Sequence, residues 1–428
     1  MSNKNNSILA INGGDKLIKS KFSSYNSIGH EEIEASNIVL KSGILSDFVG
    51  APGDNFLGGK FVKSFEDKFK KRFQSDHAIS VNSWTSGLIA AIGAIDIEPG
   101  DEVLVTPWTM CASAIAILHW NAIPVFVDIE EDTFCMDPKK IEEKISERTK
   151  AILVVDIFGQ SADMEPIIEI AKKYNLKIIS DCAQSPGAMY KGKIAGTLAD
   201  VGGYSFNYHK HIHTGEGGMI VTNNQTIAKK CQLIRNHAEA SMLNVKNPDL
   251  TNMIGYNFRL GEIESAIGIE QLNKLDKAIK SRQNAAKLLN ENLSSIEGLT
   301  IPVVREDCTH VYYFYAMKHS EKITGVKRDS IYEALLAEGV PLISKNYQNL
   351  HLLPMFTQKQ CYGSNNFPWS LNNDVIYNYG EGNCPVAERL NNEEYLGIFM
   401  VGSNFNENEV EMMSQAINKV YSNLSELA

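Results

Sequence analysis

Between about residues 65 and 230 the chain alternates two hydrophobic patterns. Short, continuously apolar runs at Glu102–Thr106, Pro124–Asp128, Ala151–Asp156 and Lys177–Asp181 are too brief for helices and too uniformly apolar for a sheet with one wet face. They predict buried parallel strands. Between them, Ser86–Ile97 and Met164–Tyr174 predict helices. Repeated strand–helix–strand units make an α/β fold, with a mostly parallel mixed sheet covered by helices on both faces. A longer amphipathic helix is predicted from Leu260 to Leu289, with its charges spread over one face.

Beyond about residue 300 the pattern changes: Val311–Ala316 predicts a strand of a second layer, and Ser330–Glu338 and Glu407–Leu424 predict helices. We therefore expect a large domain over residues 1–290, including an N-terminal arm and the long helix, and a smaller α+β domain over 291–428. Residues 346–383, rich in Asn, Tyr, Gly and Pro, are expected to form a long loop or insertion in the latter. In sheets of this kind ligands collect at the carboxyl ends of the strands, so Asp128, Asp156 and Asp181 draw attention. Asp101 precedes its strand, in a Pro-Gly-Asp-Glu turn, and reads as structural.

Composition narrows the class. The 428 residues are 43% hydrophobic and 21% charged, as in a globular chain rather than a disordered or fibrous one. A net charge of -10 argues against a nucleic-acid partner, which is usually met by a basic surface. No apolar run approaches membrane-spanning length, and the first 21 residues lack a signal-peptide succession, so no membrane partner and a cytoplasmic location are expected. The seven cysteines lie apart, without a C-x-x-C pair or zinc spacing, and read as reduced core thiols.

Three stretches carry candidate chemistry. Lys210 stands in Ser205-Phe-Asn-Tyr-His-Lys210-His-Ile-His-Thr-Gly215-Glu-Gly-Gly218, after the strand-like Asp200–Tyr204. A lysine near a glycine-rich turn reads as a phosphate cradle, although the Gly-Lys-Ser/Thr of a Walker loop is absent, or as a Schiff-base lysine made neutral by burial. Asp181 reads as the partner of a protonated ring nitrogen or as a helix cap. Val81-Asn-Ser-Trp-Thr85-Ser86 opens a helix whose amides and hydroxyls suit a phosphate, or is an ordinary N-cap.

The order and wording of these elements resemble the DegT/DnrJ/StrS family of pyridoxal-phosphate-dependent sugar aminotransferases, fold-type I enzymes of the aspartate aminotransferase superfamily. The resemblance runs over nearly the whole chain: Asn12-Gly-Gly, Val81-Asn-Ser-x-Thr-Ser, Pro99-Gly-Asp-Glu-Val, Thr106-Pro-x-Thr, Gly159-Gln-x-Ala-Asp-Met164 and Asp181-x-Ala-Gln184. It continues through Ser205-Phe-x-x-x-Lys210 with Gly215-Glu-Gly-Gly, Arg235-Asn-His, Gly255-Tyr-Asn-Phe-Arg259 and Cys384-Pro-Val-Ala-Glu. No one of these motifs is specific; their ordered set is.

The resemblance implies a fold-type I transferase with pyridoxal 5'-phosphate, which becomes pyridoxamine 5'-phosphate between half-reactions. Lys210 would be the Schiff-base lysine and the proton shuttle, Asp181 the partner of the pyridine nitrogen, and Gln184 a donor to the ring hydroxyl. Thr85, Ser86 and Ser205 would bind the phosphate, and Asn257 would reach the phosphate of a neighbouring subunit, which implies a homodimer with shared active sites. The implied reaction is a ping-pong transfer from an amino acid, by family habit L-glutamate, to a keto-sugar, nucleotide-linked or otherwise, or to a keto-cyclitol or other keto-polyol.

The chain departs from the family pattern in three places. Trp84 stands where a small residue is common. Met110 stands where an aromatic stacks on the cofactor ring; a thioether also packs on a π face, and Trp108 is nearby in sequence. Around the lysine, Asn207, His209, His211 and His213 are unusual. The alternating histidines suggest a metal site, but zinc ligands come from rigid elements with supporting contacts, so none is expected. His209, His211 and His237 are candidate substrate contacts or ordinary loop residues. Sugar dehydratases of the same family replace the lysine by histidine or add a cysteine-held iron–sulfur cluster, and a silent binding paralogue would lose the lysine, aspartate or phosphate ligands; the chain does none of these.

Overall fold

The computed structural model describes residues 8–238, 246 and 248–427. Nine short strands lie in the first half: β1 (His77–Val81), β2 (Glu102–Val105), β3 (Ile123–Phe126), β4 (Thr149–Val155), β5 (Lys177–Asp181), the small hairpin β6 (Met189–Tyr190) and β7 (Lys193–Ile194), β8 (Val201–Ser205) and β9 (Gly218–Thr222). Seven of them form one sheet in the order β1-β9-β8-β5-β4-β2-β3. From β8 to β3 the neighbours are parallel, while β9 runs antiparallel to both β1 and β8. The apolar runs become strands because helices cover both faces, leaving no wet side that would demand alternation. β2 and β9 are buried along their whole length, and in β4 only Lys150 is exposed.

Among the described residues six α-helices accompany this sheet: α1 (His30–Ser42), α2 (Lys60–Phe73), α3 (Trp84–Ala94), α4 (Ala112–His119), α5 (Met164–Tyr174) and α6 (Gln225–Arg235). α3 is buried on every side except at Thr85, as its unbroken small and apolar sequence requires. It begins two residues before the expected start, because the Ser83 hydroxyl accepts the Ser86 N–H at 3.1 Å and caps it there. The long helix α7 (Glu262–Leu293) starts after Gly261 and runs four residues past its expected end. Phe65, Phe69 and Phe73 of α2 pack with Tyr204 and Phe206 behind the sheet, Phe69 and Phe73 stacked at 4.1 Å. Each such fully buried ring is worth about 1.5–3 kcal/mol. Beneath them Arg235 and Glu66 form a buried ion pair at 2.6 Å, with the Ser80 N–H and hydroxyl also donating to Glu66.

A second, antiparallel sheet is built from β10 (Leu299–Thr300), β11 (Phe314–His319), β12 (Ile343–Ser344) and β13 (Tyr395–Phe399), in the order β10-β11-β13-β12. The end of α7 packs on it together with α8 (Arg328–Glu338) and α9 (Glu407–Ser422). Here the expected strand Val311–Ala316 is displaced to Phe314–His319. The Val311 and Tyr313 N–H groups are spent on the carbonyls of Gly159 and Phe158, so ladder pairing starts only at Phe314.

Two segments lie elsewhere than expected. The N-terminal arm packs on the second sheet rather than the large one, because Leu9 and Ile18 fill its core, while Leu9 and Ala10 donate N–H bonds to Glu426 and Glu338. Residues 346–383, expected as a loop of the C-terminal domain, cross to the outer edge of the large sheet. There Tyr379 donates to the Pro124 carbonyl at 2.7 Å, Tyr377 to Glu102 at 2.7 Å and Asn372 to the Gly100 carbonyl at 2.8 Å. Their aromatic bodies join the main core, while the hydroxyls satisfy polar groups at the edge.

Candidate active site

Sheet topology gathers the site. β1 and β8 run the same way on either side of β9, so Val81 and Ser205 both lie opposite Gly218, and the α3 N-terminus and the lysine loop leave the sheet side by side. β5 is the parallel neighbour of β8, which adds Asp181 to the same rim. The result is a solvent-open cleft of about 590 Å³ lined by Ser83, Trp84, Thr85, Met110, Asp181, Ala183, Ser205, Asn207, His209, Lys210 and Glu216 among others.

Lys210 is 8% exposed, and among the described residues its one side-chain hydrogen-bond partner is the Tyr313 hydroxyl at 3.3 Å, with the ammonium 4.5 Å from the centre of that ring. Burial lowers the Lys210 ammonium to about 8, while the Asp181 charge opposes the shift. An amine of this kind reaches its neutral, nucleophilic form near physiological pH.

Asp181 is 5% exposed and accepts three hydrogen bonds: Oδ1 from the Trp84 indole at 2.7 Å and the Ala183 N–H at 3.1 Å, and Oδ2 from the Ser113 hydroxyl at 2.8 Å. The other two strand-end aspartates do not face the cleft. Asp128 caps the short helix Pro385–Arg389 through the Val386 and Ala387 N–H groups. Asp156 is sealed in the core, accepts from Ala162, Cys182 and Ser185, and is pushed up to about 6 by burial.

The remaining candidates divide. Thr85 is exposed in the first turn of α3, and Ser205 lines the cleft, its hydroxyl accepting the Asn207 N–H. Ser86 faces Ser83, hydroxyl to hydroxyl at 3.0 Å. Gln184 is buried, its Oε1 accepting the Phe158 N–H and its amide donating to the Tyr347 hydroxyl. Asn257 is exposed and accepts from Arg259 at 2.7 Å. Met110 lines the cleft and is 62% exposed. Trp108, considered for the stacking position, is fully buried against Phe134 and donates to Asn349, away from the cleft.

Of the histidines, His209 lines the cleft and is lowered to about 4 by burial and then by the Lys210 charge. His211 is corrected as a substrate contact: it is fully buried and donates Nε2–H to the Val311 carbonyl at 2.9 Å. His237 is exposed and outside the cleft lining. Among the described residues no group of three or more His, Cys, Asp or Glu side chains is placed to hold a metal. The contacts made by Trp84, Ser113 and Tyr313 were absent from the sequence reading; the aromatic run Val311–Tyr315 was the only signal for Tyr313, and it reads equally as a strand.

A dianionic phosphate ester on a pyridine ring suits this cleft. The α3 N-terminus offers free amides and the Thr85 hydroxyl at one side, a buried carboxylate stands at another, and the lysine amine lies between strand ends with little else to bind. On a sheet of this topology, these features define a fold-type I pyridoxal-phosphate aminotransferase. The chain belongs to the DegT/DnrJ/EryC1/StrS aminotransferase family, whose profile matches residues 49–394.

Relatives agree. GDP-perosamine synthase of Escherichia coli O157:H7 is 36% identical over 304 residues, 70% of this chain and 80% of its own. A putative L-glutamine:3-amino-2,3-dideoxy-scyllo-inosose aminotransferase of Micromonospora echinospora is 29% identical over 98% of both chains. The crystal structure of the aminotransferase from Psychrobacter cryohalolentis superposes with a TM-score of 0.80 at 28% identity, covering 95% of this chain and all of that one. The enzyme is thus an aminotransferase of this family, dependent on pyridoxal phosphate. Among the described residues no helix is long and apolar enough to cross a membrane.

Proposed function

We propose that the enzyme moves an amino group from L-glutamate to a nucleotide-linked keto-sugar by a ping-pong cycle, in the cytoplasm. The observation that carries the active-site assignment is the buried Lys210, lowered to about 8, on the same rim as Asp181 and the start of α3. When bound, the cofactor would supply an electron sink for this chemistry. Lys210 would be the base that takes the proton from the donor's amino-bearing carbon and the acid that gives one to the corresponding carbon of the acceptor. Asp181 would keep the ring nitrogen protonated, Thr85, Ser86 and Ser205 would hold the phosphate, and Gln184 would donate to the ring hydroxyl with the amide hydrogen not given to Tyr347. Met110 would pack its thioether against the ring, and His209 would meet the substrate.

We also assign a homodimer in which Asn257 reaches the neighbouring subunit's phosphate. Supporting this, Asn257 is exposed, and α1 with the chain after it leaves Ile33, Ile38, Leu40, Ile44 and Leu45 each about half exposed. Within each subunit the division into a large and a small unit falls near the end of α7.

A second acceptor class, a keto-cyclitol, is favoured by one observation. The relatives named as inosose aminotransferases match 98% of the chain, whereas perosamine synthase matches 70%. The test is to load the enzyme with glutamate, follow loss of the visible absorption of the lysine-bound cofactor, and offer keto-sugars and keto-inositols in turn. Recovery with a nucleotide-linked keto-sugar is expected; recovery only with a keto-inositol selects the second class, and recovery with neither refutes both. Glutamine in place of glutamate tests the donor in the same format.

A further inference from the structure

We propose that Trp84 is a positioning residue for Asp181: its indole N–H holds one carboxylate oxygen while Ser113 holds the other, fixing the plane that Asp181 presents to the ring nitrogen. This rests on the assignment of Asp181 made above. An aspartate's terminal torsion is broad and roughly two-fold, so a strand end alone does not set its plane. Here the donors come from two helices. Trp84 opens α3 and bonds Oδ1 at 2.7 Å; Ser113, in the first turn of α4, bonds Oδ2 at 2.8 Å. Thr109 stands behind Ser113 at 2.8 Å and, with the Ser113 proton given to Asp181, is the donor of that pair. An indole is a donor only and has no tautomer to switch, so the direction of the Trp84 bond is fixed by its chemistry.

The surroundings are shaped for this indole. Gly203 lies opposite Asp181 in the β5–β8 pairing, and a Cβ added to it would sit 2.0 Å from Trp84 Cζ3. A Cβ on Gly87 would sit 2.5 Å from Cε3. Neither glycine has a positive φ, so backbone conformation does not call for glycine at either place. The side-chain space of both is taken by a ring whose only polar atom is on the carboxylate. Trp84 is 5% exposed and lines the cleft, so it stands between core and cofactor site.

Filling space and orienting Asp181 are separable, because Trp84→Phe keeps a ring on the glycines and deletes the donor. The readout is the ¹⁵N chemical shift of the ring nitrogen in enzyme loaded with ¹⁵N-labelled pyridoxal phosphate, with the cofactor dissociation constant measured alongside. Trp84→Phe is expected to move the signal toward the unprotonated position and to weaken cofactor binding about tenfold, the effect of one hydrogen bond to a charged group. Ser113→Ala acts on the other oxygen and should move the signal the same way, which keeps the test open if the tryptophan variant fails to fold. Asp181→Asn should move it furthest. If Asp181→Asn moves the signal and neither Trp84→Phe nor Ser113→Ala does, the positioning role is overturned. If Asp181→Asn leaves it in place, the assignment of Asp181 itself falls.

Discussion

Replacing Lys210 by methionine should stabilise the cofactor-free protein at neutral pH, at the cost of all activity. In the folded chain the ammonium is lowered from its ordinary 10.5 to about 8, chiefly by burial. Below about pH 8 both folded and unfolded chains are protonated here, and the fold carries the whole penalty of a buried charge. Between about 8 and 10.5 the unfolded chain binds the extra proton, so wild-type stability rises with pH, and above that window the penalty is gone. At 1.36 kcal/mol per pH unit the difference is ~3 kcal/mol. Methionine fills similar space without the charge. Lys210→Met should therefore raise the midpoint of thermal unfolding at pH 7 by ~3 °C in a chain of this size, and the advantage should shrink as pH climbs through the window. The assay is thermal or urea unfolding of cofactor-free wild type and variant at several pH values from 7 to 10.5. A variant less stable than wild type at pH 7, or an advantage that does not decline with pH, would refute the reasoning.

Two further outcomes follow from a buried ion pair and a half-buried histidine. Arg235→Met strands the Glu66 carboxylate in the core and should cost ~3–5 kcal/mol in urea unfolding; a variant as stable as wild type would sink this. His209, lowered to about 4, is neutral over the working range, so His209→Gln should leave the acid limb of the kcat/KM profile in place while changing KM for the acceptor. A limb that moves would make His209 a titrating participant.

Much of the architecture was legible because it rests on local pattern. Helix α5 occupies Met164–Tyr174 as expected, since its one-sided apolar face ends where Asn175 turns left-handed at φ 54°. The strand ends were legible too, yet three aspartates terminate apolar runs and only the parallel neighbour of the lysine strand faces the cleft. That choice is made by strand order, which periodicity does not encode. The side chains that grip the key groups come from far along the chain: Ser113 lies 68 residues from Asp181, and Tyr313 lies 103 from Lys210. The alternation of His209, His211 and His213 says nothing of which way each points, and His211 turned inward. Trp84 stood out as a departure, but its purpose required the vacant space over Gly203.

The tyrosine-rich crossing of residues 346–383 bears on how the enzyme behaves in concentrated solution. β3 is the last strand of the mostly parallel sheet, and such an edge is a template for pairing with another chain. Pro124 within β3 blunts the edge, and Tyr379 caps the Pro124 carbonyl. Proteolytic clipping of this segment near Tyr379 would bare the edge, and its first symptom would be clumping.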